Sequence, residues 1–465
     1  MSSIMYTIGL RSARTHRSRL QVTSNNLANA DTEGYSRQSV RLSPAHARLE
    51  YGRSIGLGVN ASNPVRQEDA SIQRTLRDTG EQSGFFRGAA RLLSHAESTI
   101  NDEGGHPVGR ALDTFFQRVG ETTVNVTSTP NRQALLDAAD RLAISIRDSY
   151  ANMDRVRNEA DAQVSDTVEE INILTARIAN LNQRIEDSEN ISNQSPELRD
   201  ERDRAILELS QLLDVHVLAS DNGMVNVQTN EGYLLVGGPE SNVLDVQVNP
   251  TNNGHLDIIM PSRPAGPNFP HNELGGFLGG LIEARDGAIE RQQAALDDLA
   301  FDLANAVNAA LATGTDINGN AGIALFNVSA TRAGAGRNID LNAAIRNQPD
   351  ALALSATGAV GDNTVALTIG TIEEQNIIGA TLERPSDAVA FSLYDLADAS
   401  RDARNSEEES QVIFSEAQMI RDSVLGVSVD EELVYLTEAQ RAFQGAAKIL
   451  TTADEVMQEI MGLLR

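Results

Sequence analysis

The chain has no cysteine, so disulfides, thiol catalysis and cysteine-based zinc sites are excluded together. It has no tryptophan, and aromatic residues make up only 4% of its 465 residues. A core must therefore be built from Leu, Ile, Val and Ala, which suits long helices packed along seams. Lys448 is the only lysine; every other basic side chain apart from histidine is arginine. No apolar run reaches the 18 residues that a membrane-spanning helix needs. A cleavable secretory signal is not expected at the start, because Arg11, Arg14, Arg17 and Arg19 stand where its apolar stretch would lie. Net charge is −27, which repels phosphate backbones and anionic membrane surfaces, so neither nucleic acid nor membrane is an expected partner.

What is present is helical periodicity at both ends and in the middle. Residues 3–30 read as a helix with a sparse stripe of Ile4, Ile8, Leu20 and Leu27, ended by Asn29 to Gly34. Tyr35 to Leu42 reads as a short strand. At the other end Val429, Leu433, Leu436, Phe443, Leu450, Met457, Met461 and Leu464 recur at spacings of three, four and seven. That spacing predicts a heptad seam, with Ser428 as cap and Asp430 to Glu432 in the first turn. Residues 1–48 hold seven arginines against Asp31 and Glu33, a charge of +5, and residues 406–465 hold twelve acids and four bases, a charge of −8. Opposite charge and apolar stripes predict that the first and last helices pair as a coiled coil, with the large apolar groups inside it.

Between the ends, residues 66–100, 110–120 and 131–190 read as helices. In "INILTARIANLNQRI" a second seam of Ile171, Leu174, Ile178, Leu181 and Ile185 predicts antiparallel packing against "PELRDERDRAILELSQLLDV". From Val215 to Met260 the period shifts to two, which predicts short strands. The fold class expected is mainly α with β insertions. The expected division is a terminal axial unit of residues 1–62 and 410–465, a helical bundle of 63–210 and 271–325, a small β-rich segment at 211–270, and an inserted β-rich or mixed outer domain at 326–409.

Catalytic and metal-binding patterns fail on context. "GRSIG", Gly52 to Gly56, matches a serine nucleophile elbow, but an extended "LGVNASNP" follows Ser54 where a helix is required. The seven histidines form no zinc motif, and no phosphate-binding or dinucleotide loop occurs. "DINGN", Asp316 to Asn320, resembles the start of a calcium loop, but Ala321 and Asn327 stand where the glycine and the bidentate acid belong. No enzyme and no cofactor are expected.

The stretch "NNLANADTEGYSRQ", Asn25 to Gln38, resembles the N-terminal signature of the flagellar axial proteins (rod, hook and hook-associated), in which Asn-Asn-Leu/Ile-Ala-Asn-x-x-Thr-x-Gly-Tyr/Phe recurs. Ser-Arg-Gln after Tyr35 points to the hook-associated members. "INILTARIANLNQRI", "ELGGFLGGLIEARDGAIERQQAALDDLAFDLANAVNAAL" and the closing "YLTEAQRAFQGAAKILTTADEVMQEIMGLL" are similar to the same members, in the same order. The resemblance implies a structural component of the bacterial flagellum at the junction of hook and filament, needed for filament assembly. It implies secretion by type III export, unfolded or partly folded, to an extracellular location, with the terminal helices disordered in the free monomer. The implied partners are copies of itself in a ring or helical layer, the hook protein, the next hook-associated junction protein and a cytoplasmic export chaperone on the last helix. The assembly residues it singles out are Asn25, Asn26, Leu27, Asn29, Gly34 and Tyr35, beside the apolar stripes already named. The alternatives are a distal rod or hook subunit and an unrelated acidic secreted helical protein; the long Ile171–Leu213 helical region argues against the first.

Overall fold

The computed structural model describes residues 2–50, 53–100, 107–189, 194–220, 222–262 and 274–463. Helix α1 (Ser2–Ala28) is followed by strands β1 (Gln38–Pro44), β2 (Arg48–Glu50), β3 (Arg53–Ile55) and β4 (Val59–Arg66). β1 pairs antiparallel with β4, and β2 with β3 at the tip between them. Four helices come next: α2 (Ala70–Ile100), α3 (Pro107–Val124), α4 (Thr129–Glu189) and α5 (Pro196–Leu212). A β segment follows, with β5 (His216–Ala219), β6 (Val225–Gln228), β7 (Leu234–Gly237) and β8 (Glu240–Ser241) in one sheet. β9 (Asp245–Val248) and β10 (Leu256–Ile259) form a hairpin beside it. Then come α6 (Gly276–Asp286) and α7 (Ala288–Ala312), the short pieces β11 (Phe326–Asn327), α8 (Ala335–Asn338), β12 (Asp340–Leu341) and α9 (Thr364–Thr371), and finally α10 (Pro385–Leu425) and α11 (Val429–Leu463).

The 61-residue α4 runs about 90 Å and organises two apolar cores. Its first half packs with α3, α7 and the 325–378 segment around Leu112, Phe115, Leu142 and Phe326. Its second half packs with α2, α5, α6 and the β segment around Ile171, Ile178, Leu209 and Leu278. The five-residue seam from Ile171 to Ile185 is buried throughout. α5 runs back antiparallel along it, as the pairs Arg199–Glu189, Arg202–Asn182 and Glu201–Arg177 show. α2 and α6 cross with their backbones in contact: a side chain at Gly280 would stand 1.9 Å from the Phe85 carbonyl oxygen, so only glycine fits there.

Buried arginines join what apolar contact leaves separate. Arg285 on α6 is fully buried, pairs with Asp161 of α4 at 2.5 Å and donates to the Leu256 carbonyl of β10 at 2.9 Å. Burial works against the Asp161 carboxylate, but hydrogen bonding from His255 and the Arg285 charge hold its pKa below the usual carboxylate range.

The segment expected as an inserted β-rich outer domain is built differently. Strands β11 and β12 are two residues each, and Ile339, Leu352, Leu354, Val365 and Ile369 join the same core as α3, α4 and α7. Residues 385–409 belong to the 41-residue α10. The Gly, Asn and Thr between apolar residues mimic strand alternation, yet the apolar groups serve as wedges into a helical core. Ser54 lies exposed on β3 with no helix after it, so the elbow geometry is absent.

One carboxyl group at the α2–α6 crossing titrates in an accessible range. Glu81 of α2 faces Gly275, where a side chain would meet the Glu81 carboxyl oxygen at 2.1 Å and Asp214 at 2.9 Å. Burial, then the charges of Asp214 and Asp78, push Glu81 up to about 7. The folded chain therefore keeps a proton that the unfolded chain releases near the ordinary value of 4.5, so stability falls as pH rises from about 4.5 to 7 and stays lower above that. Urea unfolding at pH 5 and pH 8 should differ, through this group, by on the order of 2 kcal/mol, and Glu81→Gln should remove most of that difference.

Candidate assembly junction

α1 and α11 pair antiparallel: Gly9 lies against Leu450 and Ile449, and Asn26 against Glu432. The residues of α11 buried in this contact are Glu432, Ala439, Ala446 and Ala453, one per heptad. This corrects the expectation that the large apolar residues fill the seam. Val429, Leu433, Phe443, Met457 and Met461 are exposed by 44, 45, 36, 41 and 65%, and Leu436 and Leu450 are half-buried at the edge. Leu464 lies outside the described residues. Alanines hold the inner positions, and at Gly9 the absent side chain makes room for Leu450 and Ile449 at the edge of the contact. On α1, Ile4, Ile8, Leu20 and Leu27 are half-buried, while Gly9, Thr15, Val22, Thr23 and Asn26 are buried. The charge expectation also changes. No ion pair joins Arg11, Arg14, Arg17 or Arg19 to an acid of α11 among the described residues; Arg11 instead donates to the Leu57 carbonyl.

The Asn25–Gln38 stretch is the joint of this unit. Asn26 is 1% exposed and uses its whole side-chain amide. Its Nδ2 donates to the Gln38 carbonyl at 2.9 Å and to Glu432 Oε2 at 3.2 Å. Its Oδ1 accepts from the Tyr35 hydroxyl at 2.9 Å and from the Gln38 N–H at 3.0 Å. Asn25 donates to the Tyr35 hydroxyl at 3.4 Å, and Asn29 donates back to the Asn25 carbonyl, closing the end of α1. Gly34 sits at φ +73°, a left-handed turn that glycine adopts without strain and that swings the chain from helix to strand. Burial, then the charges of Glu197, Asp200 and Glu432, push the Tyr35 hydroxyl far above its ordinary value, so it stays protonated and donates.

Three further helices close on the same stretch. Arg37 donates from Nε to Glu432 at 2.8 Å, reaches Glu431 at 3.4 Å and stacks over the Tyr435 ring at 5.1 Å. Burial opposes its charge, but the Glu432 and Tyr435 contacts outweigh that and raise its pKa. From α10, Arg421 donates to the Gly34 carbonyl at 2.6 Å, and the Leu425 carbonyl accepts the Arg37 N–H at 2.8 Å. From α5, Asp200 accepts the Ser36 N–H at 3.0 Å and pairs with Arg66 of β4 at 3.0 Å, and Glu197 accepts from Gln38 at 3.0 Å. Glu197, Asp200, Arg66, Arg421 and Glu432 were not singled out as site residues from sequence. Of these, Glu432 alone left a trace there, standing in phase with the alanines seven, fourteen and twenty-one residues on.

A family model for the flagellar hook-associated protein FlgK helical domain matches residues 93–326, half of the chain. The chain belongs to the flagellar hook-associated protein family. The C-terminal region of the basal body rod FlgEFG proteins matches residues 423–463, and the basal body rod protein family matches residues 11–35. Both rod matches therefore fall on the α1–α11 unit. Hook-associated protein 1 of Bacillus subtilis is 24% identical over 98% of this chain and 97% of its own length. That of Salmonella typhimurium is 30% identical over 66% of this chain and 56% of its own length. The hook junction protein FlgK of Burkholderia pseudomallei shares the fold, with a TM-score of 0.66 at 17% identity over 77% of this chain and all of that structure.

Asp316 is spoken for by its own loop: it accepts the Asn318 and Asn320 N–H groups at 2.8 and 2.7 Å and the Asn320 side chain at 2.9 Å. Among the described residues no group of three or more His, Asp or Glu is placed to hold a metal ion, and no helix is long and apolar enough to cross a membrane.

The joint predicts a local effect. Glu432→Ala leaves Asn26 Nδ2 with the Gln38 carbonyl alone and Arg37 with the more distant Glu431, at a cost of about 2–3 kcal/mol. Hydrogen exchange in α11 should then rise roughly 30- to 160-fold, while the thermal unfolding of the α2–α7 body stays unchanged.

Proposed function

We propose that this chain is a structural adaptor of the bacterial flagellum, placed at the junction between hook and filament and required for filament assembly. The observation that carries the reading is the exposed apolar arc of α11. Leu433, Val434 and Met461 are between 45 and 65% exposed on a helix already paired on its alanine side. Burying each against a neighbour is worth roughly 1.5–3 kcal/mol, which is the gain a subunit needs to join a lattice. The names borne by its relatives support the same place in the flagellum.

In this reading the chain forms a ring or helical layer with copies of itself, meets the hook protein on one side and meets the next hook-associated junction protein on the other. The residues that assemble it are the α1 stripe with the Asn25–Tyr35 joint, and the outward residues of α11 from Leu433 to Met461. The same outward arc is what an export chaperone would cover in the cytoplasm, since an amphipathic helix lays its apolar face into a groove. Secretion to the hook tip then delivers the chain without a membrane-spanning helix.

Leu433→Asp and Met461→Asp test the reading, because both side chains point outward and leave the fold unloaded. Cells carrying either variant should build complete hooks and shed filament subunits into the medium, while the purified protein unfolds as the parent does. Normal filaments in both strains would contradict the assignment. Leu436→Asp, at the edge of the α1 contact, should also loosen α11 itself.

A further inference from the structure

Arg19 brings a charge to the joint that its own chain leaves unanswered. It is half-buried and forms neither a hydrogen bond nor an ion pair among the described residues. Burial and then the Arg19 charge hold the neighbouring His16 below its ordinary value. Arg19 lines a cavity of about 350 Å³ between α1, β1 and α11, together with Thr23, Arg37, Ser39, Gln67 and Tyr435. Arg19 and Thr23 are one helical turn apart and so share the face of α1 that looks into it. Thr23 is 7% exposed, yet its hydroxyl forms no hydrogen bond among the described residues, whereas the Thr15 hydroxyl donates to the Val59 carbonyl. The one acid in the wall, Glu432, is already taken by Asn26 and by Arg37 Nε.

The cavity therefore offers N–H and O–H donors and one uncompensated positive charge, the donor set that holds a carboxylate. We propose that it receives an acidic side chain of a second copy, whose carboxylate is held by Arg19 and the Thr23 hydroxyl. Charge balance favours a second copy as the source. Each chain carries a net charge of −27, so copies repel one another unless acids of one meet bases of the next. Acids are in supply: Glu409 and Glu416 of α10 and Glu438, Glu455 and Glu459 of α11 are exposed, with no ion pair among the described residues. A pocket on one copy meets a different surface of the next, so the contact is heterologous and propagates into a ring or helix rather than closing as a dimer. Because the pocket lies against Arg37 and Glu432, an occupant would also brace the joint from outside. This occupant rests on the self-assembly reading above and names a site it uses.

The test uses the full chain, with glutarate as a soluble carboxylate probe. Sodium glutarate, compared with sodium chloride at equal ionic strength, should shift the ring resonances of Tyr435 saturably, their assignment checked with Tyr435→Phe. It should also inhibit self-association, read by sedimentation over a concentration series. Arg19→Ala should weaken both glutarate binding and self-association at least about ten-fold. Arg19→Lys should keep part of each, and Thr23→Val should weaken both by less than Arg19→Ala. Arg19 holds nothing within its own chain, so thermal unfolding of its variants should match the parent, which separates these outcomes from loss of fold. No saturable shift, or one that Arg19→Ala leaves intact, would overturn the pocket. Glutarate binding with self-association untouched by Arg19→Ala would mark a site for free carboxylates and overturn the second-copy occupant. Either result leaves self-assembly standing. A parent that stays monomeric at every concentration and on isolated hooks would overturn the self-assembly reading and this occupant with it.

Discussion

Close approach of two helices through small side chains is the constraint on which the rest of this structure depends. Ala439, Ala446 and Ala453 give α11 a flat inner line, and Gly9 makes room on α1 for the Leu450 and Ile449 side chains beside it. A seam of leucines there would have held the helices further apart and consumed the apolar groups inside one chain. Because the seam is small, the larger side chains stay outside, exposed on α11.

That thin pairing is fixed at one end by polar contacts. Asn26 binds Glu432, Gln38 and Tyr35 at once, and the adjoining backbone is held by Asp200 and Arg421. A single stretch of chain thus ties α1, α5, α10 and α11 together. Hydrogen bonds and ion pairs through this stretch connect the terminal helices to α5 and α10, with Arg66 Nε left buried without a partner. Unmatched, such groups would cost more than they hold, because their charges are partly out of water. The joint therefore acts as a unit, and removing one member strands the others.

Much of this was legible in the residues. Helical period marked α4, α5, α7 and the two ends, and the Ile171–Ile185 seam lies where its spacing puts it. The Asn25–Gln38 stretch was legible as the element that ends α1 and turns into a strand, and the family was legible from it. The direction of the seam was not. Large and small residues recur on α11 with the same period of seven, and a rule that follows size selects Leu433 and Met461 over Ala439 and Ala446. Distance from the joint hid Asp200, Arg66 and Arg421, because nothing local to those positions announces a partner more than a hundred residues away. The 326–384 segment misled through composition: Gly, Asn and Thr between apolar residues read as strand turns, whereas burial makes them spacers between core contacts.

The most direct test is a distance measurement in a single chain. With no cysteine to remove, paired spin labels can be placed at Ser12 and Lys448, and separately at Ser12 and Val429, in the isolated monomer. Antiparallel pairing predicts a narrow, short distance for the first pair and one of about 30 Å for the second, since nineteen helical residues span about 28 Å along the axis. Broad, overlapping distributions for both pairs would show that α1 and α11 do not meet within one free chain, as the expectation of terminal helices disordered in the monomer has it, and would contradict the account of a pairing made within one chain.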